Sequence, residues 1–566
     1  MNGLFVVGIA LFFSVLSFAQ IDKYKDVNFR SPLDIPLVLA GNFGELRSNH
    51  FHTGIDIKTE RRIGLNVRSV EDGYVSRIRV SPWGYGHVVY IDHYNGLTTV
   101  YAHLDKYVGE LKDLVIEQQR KAEGFTIDYY PAKDSVRVKK GQIIAKSGNT
   151  GGSSAPHLHF EIRETLTEEA LNPLLFNFDI VDTQAPIIRE LKLYGLSDEG
   201  YRVPNKSIRL AVNGGNGNYA IAGNTLTVPA SYLTKTGGIG FAFEVIDKLN
   251  AAENVCGVYE TFLIIDKDTF FSQKIERISF ETNRQINTHK DYEEYHVRKR
   301  HFHKAFKTTN NNLPIYRKEI NNGVIKVESG ASYPVHYIAK DAYGNTSHLR
   351  FNLKISEGEK LELPAFYQGQ DALYPDSAFL SYEKTHYVLF PPGILYEPTP
   401  LLLSANGNKI VFGNDKVPLQ ETFKLMLPIG NAAFADKSYI VREASNGRKY
   451  SENGTVIDGW ITTRPKSFGT FYVEIDTIAP LIKERNFQNN GFVNGKQLAW
   501  YITENGSGLT SYNIYIDKEW YLLEYEPKNS MFFFIPPKDL KGEKEVLIKA
   551  IDGVGNVSEK VYRLTF

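Results

Sequence analysis

The chain has 566 residues, too many for a single hydrophobic core, and we expect three to five domains. Lys+Arg and Asp+Glu each number 65, so the formal net charge is zero and nothing attracts the chain generally to nucleic acid or anionic membranes. Aromatic residues make up 13% of the chain, and short stretches rich in Val, Ile, Tyr and Phe alternate with Gly, Asn and Pro. This composition predicts a mainly β protein and argues against a partner of nucleic acid.

The first residues have the pattern of an export signal. Residues 4–18 are almost entirely apolar, yet the run is too short to span a membrane comfortably. Ser17-Phe18-Ala19 places small residues where signal peptidase cleaves, so we expect a signal peptide at 1–19 and no transmembrane helix after cleavage. No Lys or Arg precedes the apolar run, which leaves an uncleaved anchor as the alternative. The pattern predicts an exported protein in the periplasm or at the cell surface.

Segment 20–181 has the pattern of short strands interrupted by one helix. Glu110–Ala122 carries Leu111, Leu114 and Val115 at helical spacing among charged residues, which predicts an amphipathic helix. Asn95-Gly96 is a strong hairpin signal. The predicted β stretches are 66–80, 86–93, 98–103, 138–146 and 157–163.

Beyond residue 181 the sequence repeats itself loosely. The string DTQAP at 182–186 returns as DTIAP at 476–480, and each opens a run of alternating strands. DAYGN at 341–345 returns as DGVGN at 552–556, turn chemistry that suits the last two strands of a sandwich. We therefore predict immunoglobulin-like β-sandwich modules, two to four in all, after the first domain. Their predicted limits are 182–357 (one module or two), 358–475 (a β-rich module) and 476–566.

Segment 20–181 also holds the residues of a zinc hydrolase, namely His52, Asp56, His103, His157 and His159. Three N or O donors can hold zinc and leave a coordination position for water, while two further histidines handle protons. His157 and His159 are two residues apart on a predicted strand, so their side chains point to the same face. An isolated His-x-His is usually a pair of surface histidines, but here three separate motifs agree.

Longer strings surround these residues. They are FHTGIDI at 51–57, DGYV at 72–75, GYGHVVYIDH at 84–93, YAHL at 101–104, VKKGQ at 138–142, SGNTG at 147–151 and HLHFE at 157–161. In order and in detail they resemble the lysostaphin/LytM-type zinc metallopeptidases. The resemblance implies that His52, Asp56 and His159 bind Zn²⁺ and that His103 and His157 are the catalytic pair. It also implies a compact antiparallel β-sheet with the metal in a groove, and the peptide part of peptidoglycan as substrate.

One departure from that family is the long span between His103 and Gly141. The excess lies at residues 109–135 and includes the predicted helix. It is either a solvated surface excursion or a wall of the cleft that restricts access.

The resemblance thus implies an exported zinc endopeptidase that cuts cross-links or stem peptides of peptidoglycan by attack of a zinc-bound water. Zinc lowers the pKa of bound water toward about 7, and His103 and His157 can each serve as general base or acid. The later modules would be spacers or docking surfaces for a protein partner. Two alternatives are a non-hydrolytic regulator of another wall hydrolase and a surface adhesion or scaffold protein whose sandwich array does the work. All five site positions are present, which favours the enzyme.

Overall fold

The computed structural model describes residues 26–367, 369 and 371–566, so the predicted signal peptide lies outside the described residues. The described chain is mainly β, as its composition predicts, and several β modules each surround a hydrophobic core. Within the described ranges no helix is both long enough and apolar enough to cross a membrane. The α-helices are Glu110–Ala122, Ile286–His289 and Tyr292–Arg298. Short 3-10 turns are Pro173–Leu175, Ala222–Asn224, Ala230–Tyr232, Asn283–Gln285, Ile320–Gly323, Ala365–Tyr367, Ala432–Lys437 and Pro527–Asn529.

The first module is built on an antiparallel sheet. Across the sheet its strands are Leu39–Gly41, Ile55–Lys58, His157–Glu164, Leu97–Ala102, His87–His93, Gly73–Val80 and Ile127–Tyr129, with Arg137–Val138, Ala170–Leu171 and Arg277–Ile278 at the margins. A smaller sheet contains Asn66–Arg68, Ile143–Ser147 and Leu104–Tyr107 and shares the same core. Because His157–Glu164 is a central strand, it lies between the strand that carries Asp56 and the strand that ends next to His103.

The helix predicted in this module is confirmed at Glu110–Ala122. Leu111 and Val115 are buried in the core, while the charged face is exposed. Acidic residues lie in its first turn and basic residues in its last, an arrangement that complements the helix dipole. The helix therefore rests on the sheet through its apolar face.

Residues 187–355 form a β-sandwich around one core. The strand Arg202–Gly215 passes from one layer to the other, and the layers meet where Phe243 stacks on Tyr337 with 3.7 Å between ring centroids. The strands in order are Phe302–Lys304, Gly238–Ile246, Ile187–Leu196, Arg202–Gly215, Asn218–Ile221, Thr346–Ile355, Ser332–Lys340, Glu260–Ile265, Asp268–Lys274 and Tyr316–Glu319, with Thr225–Val228 beside Thr346–Ile355.

Two further modules follow, each with a pair of sheets around its own core. The first has Phe379–Glu383, His386–Phe390, Lys424–Pro428, Trp460–Thr463 and Thr455–Ile457 in one sheet, Leu403–Asn406, Lys409–Phe412, Gly469–Ile475, Ser438–Glu443 and Lys449–Asn453 in the other, and the pair Ala372–Leu373 and Thr399–Pro400. The second has Leu481–Glu484, Leu498–Thr503, Met531–Phe534 and Glu524–Glu526, opposed by Glu519–Tyr521, Leu509–Ile516, Glu543–Asp552 and Val557–Thr565. The domain limits given from the sequence stay predictions.

The first sandwich is joined closely to the first module. Its segment 275–316 places Arg277–Ile278 against Ala170–Leu171 as an added strand. A shared apolar cluster contains Phe43 and Phe51 from the first module together with Ile275, Ile286 and Ile315 from the sandwich segment. The two modules therefore pack through a hydrophobic interface and not only through a linker.

Candidate metal centre

Strand register brings the predicted site residues together. His159 lies opposite Asp56 on one neighbouring strand and opposite Ala102 on the other, so His103 follows directly beside it. Gly54 is needed for this approach, because a Cβ there would lie 2.4 Å from the main-chain oxygen of Phe160. Three motifs that are far apart in the sequence thus converge at one end of the central strand.

His52, Asp56 and His159 form a tight triangle of donor atoms. His52 Nε2 is 3.1 Å from Asp56 Oδ1 and 3.0 Å from His159 Nδ1, and His159 Nδ1 is 2.9 Å from Asp56 Oδ1. Donors at 2.0–2.1 Å from a tetrahedral zinc ion lie roughly 3.3 Å apart. The spacing therefore fits three ligands of one small cation.

The outer nitrogen of each imidazole in this triangle has a hydrogen-bond acceptor of its own. His52 Nδ1 donates to the main-chain oxygen of Asn42 at 2.7 Å, and His159 Nε2 donates to Glu161 Oε1 at 2.8 Å. These bonds fix the tautomers, so in its neutral form each ring turns an unprotonated nitrogen toward the other ring and toward the carboxylate of Asp56. Two lone pairs and an anionic oxygen in contact repel one another unless a cation lies between them. The residues present therefore fit a metal.

The charges around the triangle depend on burial and on ion pairs. Burial disfavours a charged ring at His159, but Asp56 and Glu161 on its two sides outweigh burial and raise its pKa to about 9. Burial alone would raise the pKa of Asp56, but the adjacent histidines hold it well below its usual value. The other oxygen of Asp56 accepts from Arg47 at 3.1 Å. Without metal, the positive charge of protonated His159 partly replaces the charge of the cation.

His103 and His157 form a second pair beside the triangle, with 4.7 Å between their ring centroids. His103 Nδ1 donates to the main-chain oxygen of Thr150 at 2.8 Å, and His157 Nδ1 donates to that of Ala155 at 2.8 Å. In its neutral form each ring would therefore present an unprotonated Nε2. His157 Nε2 is 3.4 Å from Asp56 Oδ1. His103 adopts a left-handed backbone with φ +58, a strained conformation typical of functional sites.

Glu161 and its partner Arg163 were given no role by the sequence analysis. Glu161 is fully buried and is paired with Arg163, which outweighs burial and lowers the pKa of its carboxyl group. Tyr85 and Thr53 also donate to Glu161 Oε1. Strand alternation could have identified this residue, since Glu161 follows His157 and His159 at the same two-residue spacing and so shares their face.

The four histidines line an open cleft of about 1790 Å³. Leu158 is buried behind His157 and His159, as their alternation predicts. Residues 109–135 are not among the described residues that line this cleft. The first sandwich also contributes to the lining of this cleft, through Asn254, Val255, Phe280, Asn283, Arg284 and Tyr295.

Segment 275–316 of the first sandwich also holds the loop that carries His52 in place. Asn283 Oδ1 accepts from the main-chain N–H of Phe51 at 2.7 Å. Lys290 is fully buried and donates to the main-chain oxygens of Arg47 and Ser48 at 2.6 Å each. No sequence motif signalled this role, because these contacts join segments more than 200 positions apart.

Comparisons with known proteins agree with this geometry. Residues 50–123 and 122–173 match Peptidase family M23, and residues 371–476 match a Zu5-like domain. The chain is similar to the DD-carboxypeptidase/endopeptidase Mpg of Neisseria meningitidis, with 33% identity over 129 residues that make up 23% of each protein. It is also similar to the peptidoglycan DD-endopeptidase ShyB of Vibrio cholerae, with 34% identity over 111 residues, 20% of each protein.

Among solved structures, the chain resembles the catalytic domain of lysostaphin from Staphylococcus simulans, with 26% identity and a TM-score of 0.19 over 24% of this chain and 90% of that one. The chain covers less than a quarter of the length of the two curated relatives, which match at 23% and 20%. The matched residues contain the donor triangle and the second histidine pair. The chain therefore carries a LytM-type peptidase family M23 domain at residues 50–173, followed by further β modules, one of which matches the Zu5-like domain.

Proposed function

We propose that the protein is an exported, zinc-dependent endopeptidase that hydrolyses peptide cross-links or stem peptides of peptidoglycan. The proposal rests above all on the convergence of His52 Nε2, Asp56 Oδ1 and His159 Nδ1 within 3.1 Å of one another. The family match and the two relatives named as endopeptidases support the reaction class, and the Vibrio relative named as a peptidoglycan DD-endopeptidase supports the substrate. Peptidoglycan lies outside the cytoplasmic membrane, so this substrate agrees with the signal peptide predicted at 1–19 and with a periplasmic or cell-surface location.

The donor set suits zinc, which takes imidazole nitrogen and carboxylate oxygen ligands in a four-coordinate site. Zinc held there would polarise a substrate carbonyl and make water a better nucleophile near neutral pH. Three protein ligands leave one position open, which is the arrangement of catalytic and not structural zinc sites. Glu161 and the main-chain oxygen of Asn42 would hold the two ligand rings in orientation.

His103 and His157 supply the proton transfers in this proposal. Because both Nδ1 atoms donate to main-chain carbonyls, the neutral form of each ring has a lone pair on Nε2 that can accept a proton from the attacking water. The same ring then returns a proton to the amine that leaves when the peptide bond breaks. The open cleft gives an extended peptide room to lie across the histidines.

The modules after the peptidase domain are proposed as spacers or as docking surfaces for a protein partner. The first sandwich also supports the peptidase site, because Asn283 and Lys290 hold the loop that carries His52. Removing the sandwich is therefore expected to damage the site.

Digestion of purified sacculi by the full chain, followed by mass analysis of the soluble fragments, tests the function. We expect release of peptide-cleaved fragments that stops with a chelator and resumes with added zinc, and no release by His157→Ala. If zinc-loaded protein binds sacculi but releases nothing, and instead raises the activity of another wall hydrolase, the regulatory alternative is correct. Binding of a partner by residues 182–566 with the peptidase domain dispensable would favour the adhesion alternative.

A further inference from the structure

Three carboxylates meet where the first sandwich joins the peptidase domain. Asp182 lies at the entry to the sandwich, Asp247 follows strand Gly238–Ile246, and Asp341 follows strand Ser332–Lys340. Each offers an oxygen within 4.8 Å of the others. Their exposed fractions are only 9%, 1% and 4%. Within the described residues, none of the three forms an ion pair with Lys, Arg or His.

Two of these carboxylates have oxygens without a partner. Asp182 Oδ2 and Asp247 Oδ1 are buried and accept no hydrogen bond. All three residues line a cavity of about 10 Å³, which has room for one ion or one water. Burial and the neighbouring carboxylates raise the pKa of Asp182 to about 6 and that of Asp247 to about 8. Buried anions that repel one another require protons or a cation, since unpaired buried charge is strongly unfavourable.

We propose that Asp182, Asp247 and Asp341 bind a calcium ion. The donor set contains oxygen alone, which selects a hard cation over zinc. Calcium accepts six to eight oxygen ligands in flexible geometry, whereas magnesium demands a near-ideal octahedron. Bidentate carboxylates and main-chain oxygens would complete its coordination. The site is separate from the His52, Asp56 and His159 triangle.

The last module contains a matching cluster that differs in one decisive respect. Asp476, Glu504 and Asp552 also offer oxygens within 4.8 Å of one another. In this cluster, however, Ser507 donates both its main-chain N–H and its hydroxyl to Asp476 Oδ2, at 2.9 and 2.7 Å. Glu504 Oε1 accepts from the main-chain N–H of Gly506. Because the protein itself satisfies these carboxylates, the proposal is restricted to the first cluster.

The two carboxylate clusters lie at corresponding positions of the sequence repeat, since Asp182 and Asp341 correspond to Asp476 and Asp552. Asn345 bridges Asp341 Oδ2 and the main-chain oxygen of Asp182, at 2.6 and 3.2 Å. Asn556 bridges Asp552 Oδ2 and the main-chain oxygen of Asp476 in the same way, at 2.7 and 3.0 Å. The backbone frame is shared, and the unpartnered oxygens distinguish the first cluster.

A bound ion would also steady the segment that connects this cluster to the peptidase cleft. The main chains of Asp247 and Cys256 exchange two hydrogen bonds of 2.9 Å. Asn42 then binds Gly257 through two side-chain hydrogen bonds of 2.8 Å, and its main-chain oxygen accepts from His52 Nδ1. Calcium is therefore expected to fix the junction of the two modules.

Calcium titration of the zinc-loaded full chain, freed of other cations, tests the site by calorimetry and by thermal unfolding. We expect a calcium-dependent rise in Tm that is much weaker with magnesium. Asp247→Asn should weaken calcium binding by at least about tenfold, whereas Glu504→Gln in the matching cluster should bind like wild type.

Without calcium, Asp247→Asn should unfold at the wild-type temperature or above, because an amide needs neither a proton nor a cation to be buried beside Asp182 and Asp341. This result would separate loss of the ligand from loss of the fold. Asp182→Asn is the second variant. It should also weaken calcium binding and should also unfold at the wild-type temperature or above without calcium. Absence of calcium binding at millimolar concentration would overturn the proposal. So would unchanged binding in both Asp→Asn variants, or loss of binding in Glu504→Gln alone.

Discussion

His159 lies directly opposite Asp56 in an antiparallel strand pair, and its Nδ1 is 2.9 Å from Asp56 Oδ1. A one-residue slip of this register would turn the imidazole to the other face of the sheet. The register is held by Leu158 and Ile57, which are opposite each other and fully buried. The donor triangle thus depends on the packing of the apolar residues that alternate with Asp56 and His159 along their strands.

We predict that substitutions in the donor triangle remove the metal, whereas substitutions of His103 or His157 remove only catalysis. Asp56→Ala and His159→Ala should lose zinc, because each removes one of the three proposed ligands. His103→Ala and His157→Ala should keep zinc and lose about 10²–10⁴-fold in the rate of peptide cleavage, the usual contribution of a general acid or base. Zinc content by atomic absorption and cleavage of sacculi measure the two properties. Full zinc content in Asp56→Ala would contradict the ligand assignment.

Glu161 predicts a positioning effect on zinc affinity. Its carboxylate accepts from His159 Nε2, so Glu161→Gln should weaken zinc binding by about 10–100-fold. The exposed helix residue Glu117, changed to Gln, is the control and should have no effect. Competition with a zinc chelator of known affinity gives the measurement. An affinity equal to wild type would show that the bond does not hold the ring for the metal.

Sequence patterns were sufficient for the features that lie on a single helix or strand. The helix Glu110–Ala122 and the shared face of His157 and His159 follow from periodicity alone. The roles of Asn283 and Lys290 do not, because they act through main-chain atoms of a distant segment, and such contacts leave no spacing pattern. The contribution of the first sandwich to the cleft lining was missed for the same reason.

Zinc affinity should rise with pH across the neutral range. In the metal-free fold His159 has a pKa of about 9, so it carries a proton at pH 7 that zinc must displace. Burial lowers the pKa of His52, and Asp56 stays ionised, so neither residue carries a further proton that zinc must displace. Between pH 7 and 8 the apparent affinity should rise about tenfold per pH unit, with release of about one proton. Calorimetry in buffers of different ionisation enthalpy measures the proton, and a pH-independent affinity would contradict the assignment.

Loss of the anchor at Asn283 should affect both stability and the metal centre. Asn283→Ala leaves the buried N–H of Phe51 without its acceptor, which costs about 1–3 kcal/mol of unfolding free energy. Since Phe51 precedes His52, the freed loop should also bind zinc more weakly. The exposed turn residue Asn408, changed to Ala, is the control and should leave both properties unchanged. Denaturant unfolding and zinc competition measure the two effects. Weaker zinc binding without loss of stability would mean that Asn283 acts on the cleft by another route, whereas loss of stability alone would show that His52 is held in place by the sheet and by Asn42.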